Sequence, residues 1–161
     1  YLTVIRGTPM MVQLMIMYFV IFASSRHSVA VATLAFGINS GAYVAEIVRG
    51  GIMSVDAGQM EAGRSLGMNY TQTMRHIIIP QAIKNILPAL GNEMITLLKD
   101  TSLMTVTGAK DLMKAAQSVT AVTYQPLMPY ISIAIIYLVC VMALSKALAA
   151  FERRLRNSDR R

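Results

Sequence analysis

Apolar residues fall along the chain in long runs separated by short polar stretches. Residues Gly7 to Ser25, GTPMMVQLMIMYFVIFASS, contain no charge and are bounded by Arg6 and Arg26. Ser28 to Ala45, SVAVATLAFGINSGAYVA, form a second run that ends at Glu46 and Arg49. A third, QAIKNILPALGNEMITLL after Pro80, is interrupted by Pro88, Gly91 and Glu93 and is the weakest. Leu127 to Ser145, LMPYISIAIIYLVCVMALS, form the cleanest run and stop at Lys146. A helix crossing the hydrocarbon core needs about 20 mostly apolar residues, so the four runs predict four spans. Thr101 to Thr123 include Lys110, Asp111 and Lys114 and are too polar for a span. They predict a short helix packed at the outer side or partly re-entrant.

Composition supports an all-α integral membrane protein, with residues 1–161 as one domain. The chain is 55% hydrophobic, and its 14% charged residues are about half the share of a soluble domain. The net charge of +7 is unevenly placed: six of 15 Lys and Arg (Lys146, Arg153, Arg154, Arg156, Arg160 and Arg161) follow residue 145. Beside an apolar run, such a tail predicts a cytoplasmic membrane edge rather than nucleic-acid binding. The chain begins at Tyr1 and is apolar from Leu2, with no signal-peptide pattern. A preceding membrane segment is expected to be missing. The single Cys140 excludes an internal disulfide and is expected to be a buried, inert thiol. His27 and His76 lie far apart at predicted loop and interface positions, which argues against a metal site. No G-x-x-x-x-G-K-[ST] phosphate loop occurs, so ATP hydrolysis by that route is excluded for this chain.

Residues 56–80 are the polar exception between apolar runs. Val55 to Leu66 predict a short helix with Ala62, Gly63 and Leu66 on one side and Glu61, Arg64 and Ser65 towards the other. Gly67 is placed to stop it, as glycine does just past a helix end. Asn69 is a candidate N-cap for a second short helix, Tyr70 to Ile79. Pro80 predicts a bend into the next span. Two short helices at a bend, lying at the cytoplasmic face, are the expected shape.

The spacing Glu61-Ala62-Gly63, then Gly67, Ile77, Ile79 and Pro80 resembles the EAA loop of permease subunits in bacterial ABC importers. Gly63 stands where the family has Ala, and Ile79 where it has Leu. RGTP at Arg6 to Pro9, SGAYVAEIVRGGI at Ser40 to Ile52, GQMEAG at Gly58 to Gly63 and KDTSL at Lys99 to Leu103 are similar to the polar amino acid uptake branch. The resemblance covers nearly the whole chain. It implies a MetI-like permease bundle, with about four of five spans present. It also implies that Glu61, Ala62, Gly63, Gly67, Ile77 and Pro80 form a coupling helix segment docking on an ATP-binding subunit. ATP and magnesium would belong to that partner, with no cofactor on this chain. A second permease copy or homologue and an extracytoplasmic substrate-binding protein are the other implied partners, in the bacterial inner membrane.

Glu93 lies within the third run, and an ionisable group at membrane depth defaults to a functional role. It can meet the ammonium of an amino acid, or form a structural pair with a neighbouring helix; both readings stay open. Asn92 beside it, Asn39 and Ser40 in the second run, and Lys99, Asp100 and Ser102 are further candidates for substrate contact. Glu46 and Arg49 are spaced to pair on one helix face. Gln13 reads first as interhelical glue and second as a pocket wall. The rival functions are a secondary transporter or channel using Glu93 as an ion or proton site, and a membrane-anchored assembly protein.

Overall fold

A computed structural model describes residues 1–157, with side chains through Arg153. Arg160 and Arg161 of the basic tail lie outside the described residues, as do the side chains of Arg154 and Arg156. Among the described residues every element is helical. In chain order these are α1 (Leu2–Arg6), α2 (Met10–Ile16, continued by a wide π turn, Met17–Ile21), α3 (Ser28–Met53), α4 (Ala57–Ser65), α5 (Tyr70–Thr73, continued by a π turn, Met74–Ile78), α6 (Ile79–Asp100, continued by a 3-10 turn, Thr101–Thr107), α7 (Leu112–Thr123) and α8 (Leu127–Asn157). α3 and α8 are long and apolar enough to cross a membrane.

The first apolar run is not the single span its composition predicts. Its first residues, Gly7–Pro9, form a break after α1, and the apolar helix that follows covers only Met10–Ile21. Pro9 takes the extended conformation before α2, because its ring fixes φ and removes a donor. The second run extends past its predicted end at Ala45 to Met53. The third is an unbroken 22-residue helix in spite of Pro88. A proline there forfeits one backbone hydrogen bond, a loss that neighbouring helices can compensate in a membrane bundle.

α6 is the central element. It runs antiparallel to α3, with Ser40 Oγ donating to Glu93 Oε1 at 3.2 Å and Asn85 Nδ2 donating to Ser54 Oγ at 2.8 Å. Glycines allow the backbones to approach: any Cβ on Gly51 would collide with Ile86 of α6, and any Cβ on Gly91 with Leu148 of α8. Small residues serve this purpose where lipid gives helices no hydrophobic drive to associate. At the Ser28 end, Leu14, Ala32, Ala35 and Phe36 are buried under Leu97, Leu103, Met104 and Val106.

Cys140 corrects the expectation of a buried thiol, for it is exposed. α8 packs along a narrow stripe and leaves Ile135, Leu138, Val139 and Met142 on the surface. An apolar sequence context signals burial in a soluble domain; in a membrane helix it equally signals a face that lipid can solvate.

Candidate functional site

Two constellations carry chemistry. The first is an elbow formed by α4, α5 and the following π turn. Asp56 caps α4 by accepting from Gly58 N at 2.7 Å. α4 closes with paired bonds, Met68 N to Gly63 O at 3.1 Å and Gly67 N to Arg64 O at 3.0 Å, with Gly67 at φ +83°. That is a Schellman closure, and its left-handed residue suits glycine. Asn69 then caps α5 reciprocally: its Oδ1 accepts from Gln72 N, and Gln72 Oε1 accepts from Asn69 N, both at 2.9 Å. Such a box satisfies two otherwise orphan donors.

The expected bend at Pro80 is absent. α5, the π turn and α6 form one helical path, with Pro80 in the first turn of α6. In the π turn the hydrogen bonds reach one residue further, from Ile79 N to Met74 O. This widening accommodates a ring that would clash with an ordinary preceding turn. The elbow is therefore joined stiffly to α6. Gln81 Nε2 adds a tie, donating to Gln59 Oε1 of α4 at 3.3 Å and to Ile77 O at 3.0 Å.

The faces of α4 also differ from the helical reading. Gly63 is the buried residue, and a Cβ there would stand 2.6 Å from Thr73 Cγ2 and 3.1 Å from Ile77 Cδ1. Glu61 and Ala62 are exposed, and Leu66, grouped with Gly63 from the sequence, is 80% exposed. Helix end geometry decides this: Leu66 is the C-cap, where the helical face pattern no longer applies.

The second constellation is a cavity of about 350 Å3 at the Gly7–Pro9 break. Its walls are Arg6, Thr8 and Met10 from the break, Asn39 and Tyr43 from α3, and Glu93, Thr96 and Asp100 from α6. Asn39 and Tyr43 share one face of α3, and the three α6 residues share one face of α6, by the three- and four-residue helical spacing. Gln13 braces the wall: its Nε2 donates to Ile5 O at 2.6 Å and Thr8 O at 3.1 Å, and its Oε1 accepts from Asn39 Nδ2 at 3.1 Å.

Arg6 is engaged elsewhere. Its Nη1 lies 3.3 Å from Glu46 Oε2, and its guanidinium sits 5.4 Å from the Tyr43 ring centroid. Glu46 also pairs with Arg49. The remaining charges on the cavity wall are the carboxylates of Glu93 and Asp100. Of the residues singled out from sequence, Asn39, Ser40, Glu93 and Asp100 come together here. Asn92 and Lys99 are exposed and do not line the cavity, and Ser102 Oγ donates to Lys99 O at 2.8 Å. Tyr43 and Thr96 were not anticipated, although Thr96 follows Glu93 by the spacing that shares a face. A larger groove of about 460 Å3 between α7 and α8 is lined mainly by apolar side chains such as Leu112, Val119, Met128 and Ile133 and offers no converging charge.

Residues 1–157 match the family model of the binding-protein-dependent transport system inner membrane component. The chain belongs to this family. The permease is 43% identical to the arginine transport system permease protein ArtQ of Bacillus subtilis (strain 168), over 99% of its own length and 74% of the relative's. It is 40% identical to the glutamine transport system permease protein GlnP of Escherichia coli (strain K12), over 97% of its length and 73% of the relative's. A solved structure described as an amino acid ABC transporter with histidines superposes with a TM-score of 0.89 at 51% identity, covering 96% of the permease and 73% of that chain. These relatives are permease subunits, transport components rather than enzymes.

Proposed function

We propose that the permease moves a zwitterionic or cationic amino acid through the cavity beside Glu93, driven by an ATPase subunit seated on the elbow. The observation that carries this reading is the cavity itself. Two carboxylates and an amide converge on a space at the small end of the range for ligand sites, about 300–1,000 Å3. Glu93 and Asp100 suit an ammonium group, while Asn39 can meet either end of a zwitterion. The named substrates of the relatives, arginine and glutamine, both carry an α-ammonium.

The elbow supplies the coupling. Its exposed surface offers Glu61, Ala62 and Leu66 to a partner, and Gly63 locks α4 onto Thr73 and Ile77 behind it. Movement of α4 then passes through the helical path from Tyr70 to Asp100, on which Glu93 sits. The basic residues at the C-terminal end of α8 and beyond it support an orientation by the positive-inside rule: the elbow is cytoplasmic and the Ser28 end of α3 faces outside. ATP and magnesium belong to the partner. A second permease subunit and an extracytoplasmic binding protein complete the assembly.

The test is uptake by the complete complex in proteoliposomes, across a panel of labelled amino acids, with Glu93→Gln alongside. Loss of a charge-assisted contact costs about 1.5–3 kcal/mol, roughly ten- to hundredfold in affinity. ATP-dependent accumulation of at least one amino acid, weakened by that factor in the variant, is expected. ATP-independent uptake, or no amino acid taken up at all, would overturn the reading.

A further inference from the structure

The break at Gly7–Pro9 leaves two backbone carbonyls without helical partners. In a continuous helix Ile5 O would receive the N–H of residue 9, but that residue is Pro9, which has none. Thr8 O would receive the N–H of Val12, which instead bonds Pro9 O at 3.0 Å. Gln13 satisfies both carbonyls, its Nε2 donating to Ile5 O at 2.6 Å and to Thr8 O at 3.1 Å. A third acceptor joins them. Thr8 Oγ1 directs its single hydrogen at Val4 O at 3.0 Å, so it accepts from Gln13 Nε2 at 2.6 Å.

The amide of Gln13 therefore has one orientation. Turned over, it would set Oε1 against three oxygens that cannot donate to it, and leave two carbonyls unmatched. Oε1 is thereby aimed at α3, where it accepts from Asn39 Nδ2 at 3.1 Å. Asn39 inherits the constraint: its NH2 end faces Gln13, and Oδ1 is the opposite end. Asn39 is 8% exposed and lines the cavity, and among the described residues no donor reaches its Oδ1. The carboxylates on the same wall, Glu93 and Asp100, are acceptors too. Ser40 Oγ orients the first of them through Oε1, while the Arg6 guanidinium is held by Glu46. An amide alone can meet either end of a zwitterion; this relay of bonds selects one end.

We propose that Gln13 is a positioning residue that fixes Asn39 as a hydrogen-bond acceptor. Asn39 then joins Glu93 and Asp100 in binding the ammonium or guanidinium group of a substrate. Pro9 frees the carbonyl that orients Gln13, and Gln13 orients Asn39, so the break shapes recognition without touching the ligand. This rests on the reading that the substrate occupies the cavity beside Glu93.

The test measures binding of labelled L-arginine to the permease assembled with its ATPase. The binding protein is omitted, because its own affinity would mask the site. Gln13→Met keeps the volume and removes the relay; Asn39→Ala removes its target. Each is expected to weaken binding by about tenfold, the factor equivalent to 1.4 kcal/mol. The double variant is expected to bind no more weakly than Asn39→Ala alone, as for residues acting through one contact. Asn39→Asp offers acceptors in either orientation, so adding Gln13→Met to it is expected to change binding less than twofold. Losses that multiply in the double variant, or a Gln13→Met loss that persists beside Asn39→Asp, would show a general brace and overturn the relay. Glu93→Gln is measured alongside. Binding that it leaves unchanged, with Gln13 and Asn39 still coupled, would overturn the substrate site argued above but not the relay. Independent effects of Gln13 and Asn39, with Glu93→Gln still damaging, would overturn the relay but not the site.

Discussion

The elbow and the cavity are built in opposite ways. The contacts that shape the elbow are local: two caps, a left-handed glycine, Gly63 against Thr73 and the Gln81–Gln59 tie, all within residues 56–81. The cavity takes its walls from three stretches, around Arg6, Asn39 and Glu93, separated by tens of residues. Local hydrogen-bond closure makes the elbow a rigid part that survives changes elsewhere. The cavity exists only while α3 and α6 are docked and Gln13 braces the break. A transmitting part and a responding part call for these two constructions.

Substitutions that sharpen this contrast separate coupling from recognition. The largest effect is expected from Gly67→Pro. Proline holds φ near −65°, whereas the position requires +83°, so the Schellman closure cannot form. Uptake is expected to fall to background while ATP hydrolysis continues and the complex is extracted in normal yield; unchanged transport in reconstituted vesicles would contradict the coupling role. Glu61→Lys is expected to act the same way through the exposed face of α4.

Gly63→Leu comes next. Its side chain would drive into Thr73 and Ile77, an overpacking cost of about 1–3 kcal/mol. A several-fold loss of uptake per ATP hydrolysed is expected, partly restored by adding Thr73→Ala. No rescue would mean that Gly63 acts outwards on the partner instead. Asn69→Ala removes half of the capping box and is expected to cost about 1 kcal/mol, read as a small fall in the melting temperature of the complex with the substrate profile unchanged. Smallest of all is Cys140→Ser, at an exposed position of α8; unaltered uptake is expected, and a substantial loss would place that face in an interface.

The same contrast explains what could be read from the chain beforehand. Gly67 and Asn69 were legible because a left-handed stop and a side-chain cap are decided by neighbouring backbone. So was the all-helical bundle, because runs of apolar residues long enough to span leave few alternatives. The break at Gly7–Pro9 opens the uncharged run and carries no charge of its own, and its consequence, a cavity wall, appears only when α3 packs beside it. The smooth path through Pro80 depends on the π turn before it, which periodicity does not encode. Asn39, Ser40, Glu93 and Asp100, singled out by their polar chemistry in or beside apolar runs, come together at the cavity. Asn92, Lys99 and Ser102 were also singled out and do not line the cavity, because the chemistry of a residue does not give its direction around the helix. The exposure of Leu66 and of Cys140 has a common cause: apolar character tells what a side chain avoids, and lipid or a partner satisfies it as well as a core does.

Disulfide trapping at Ala62 tests the central claim most directly. Ala62→Cys in the assembled complex, paired with single cysteines placed across the surface of the ATPase subunit, is predicted to form a cross-link at one cleft, with an efficiency that changes between nucleotide-free and ATP-bound states. Absence of any cross-link from Ala62, while cysteines on the opposite side of the elbow at Thr73 or Ile77 do react with the ATPase, would contradict it.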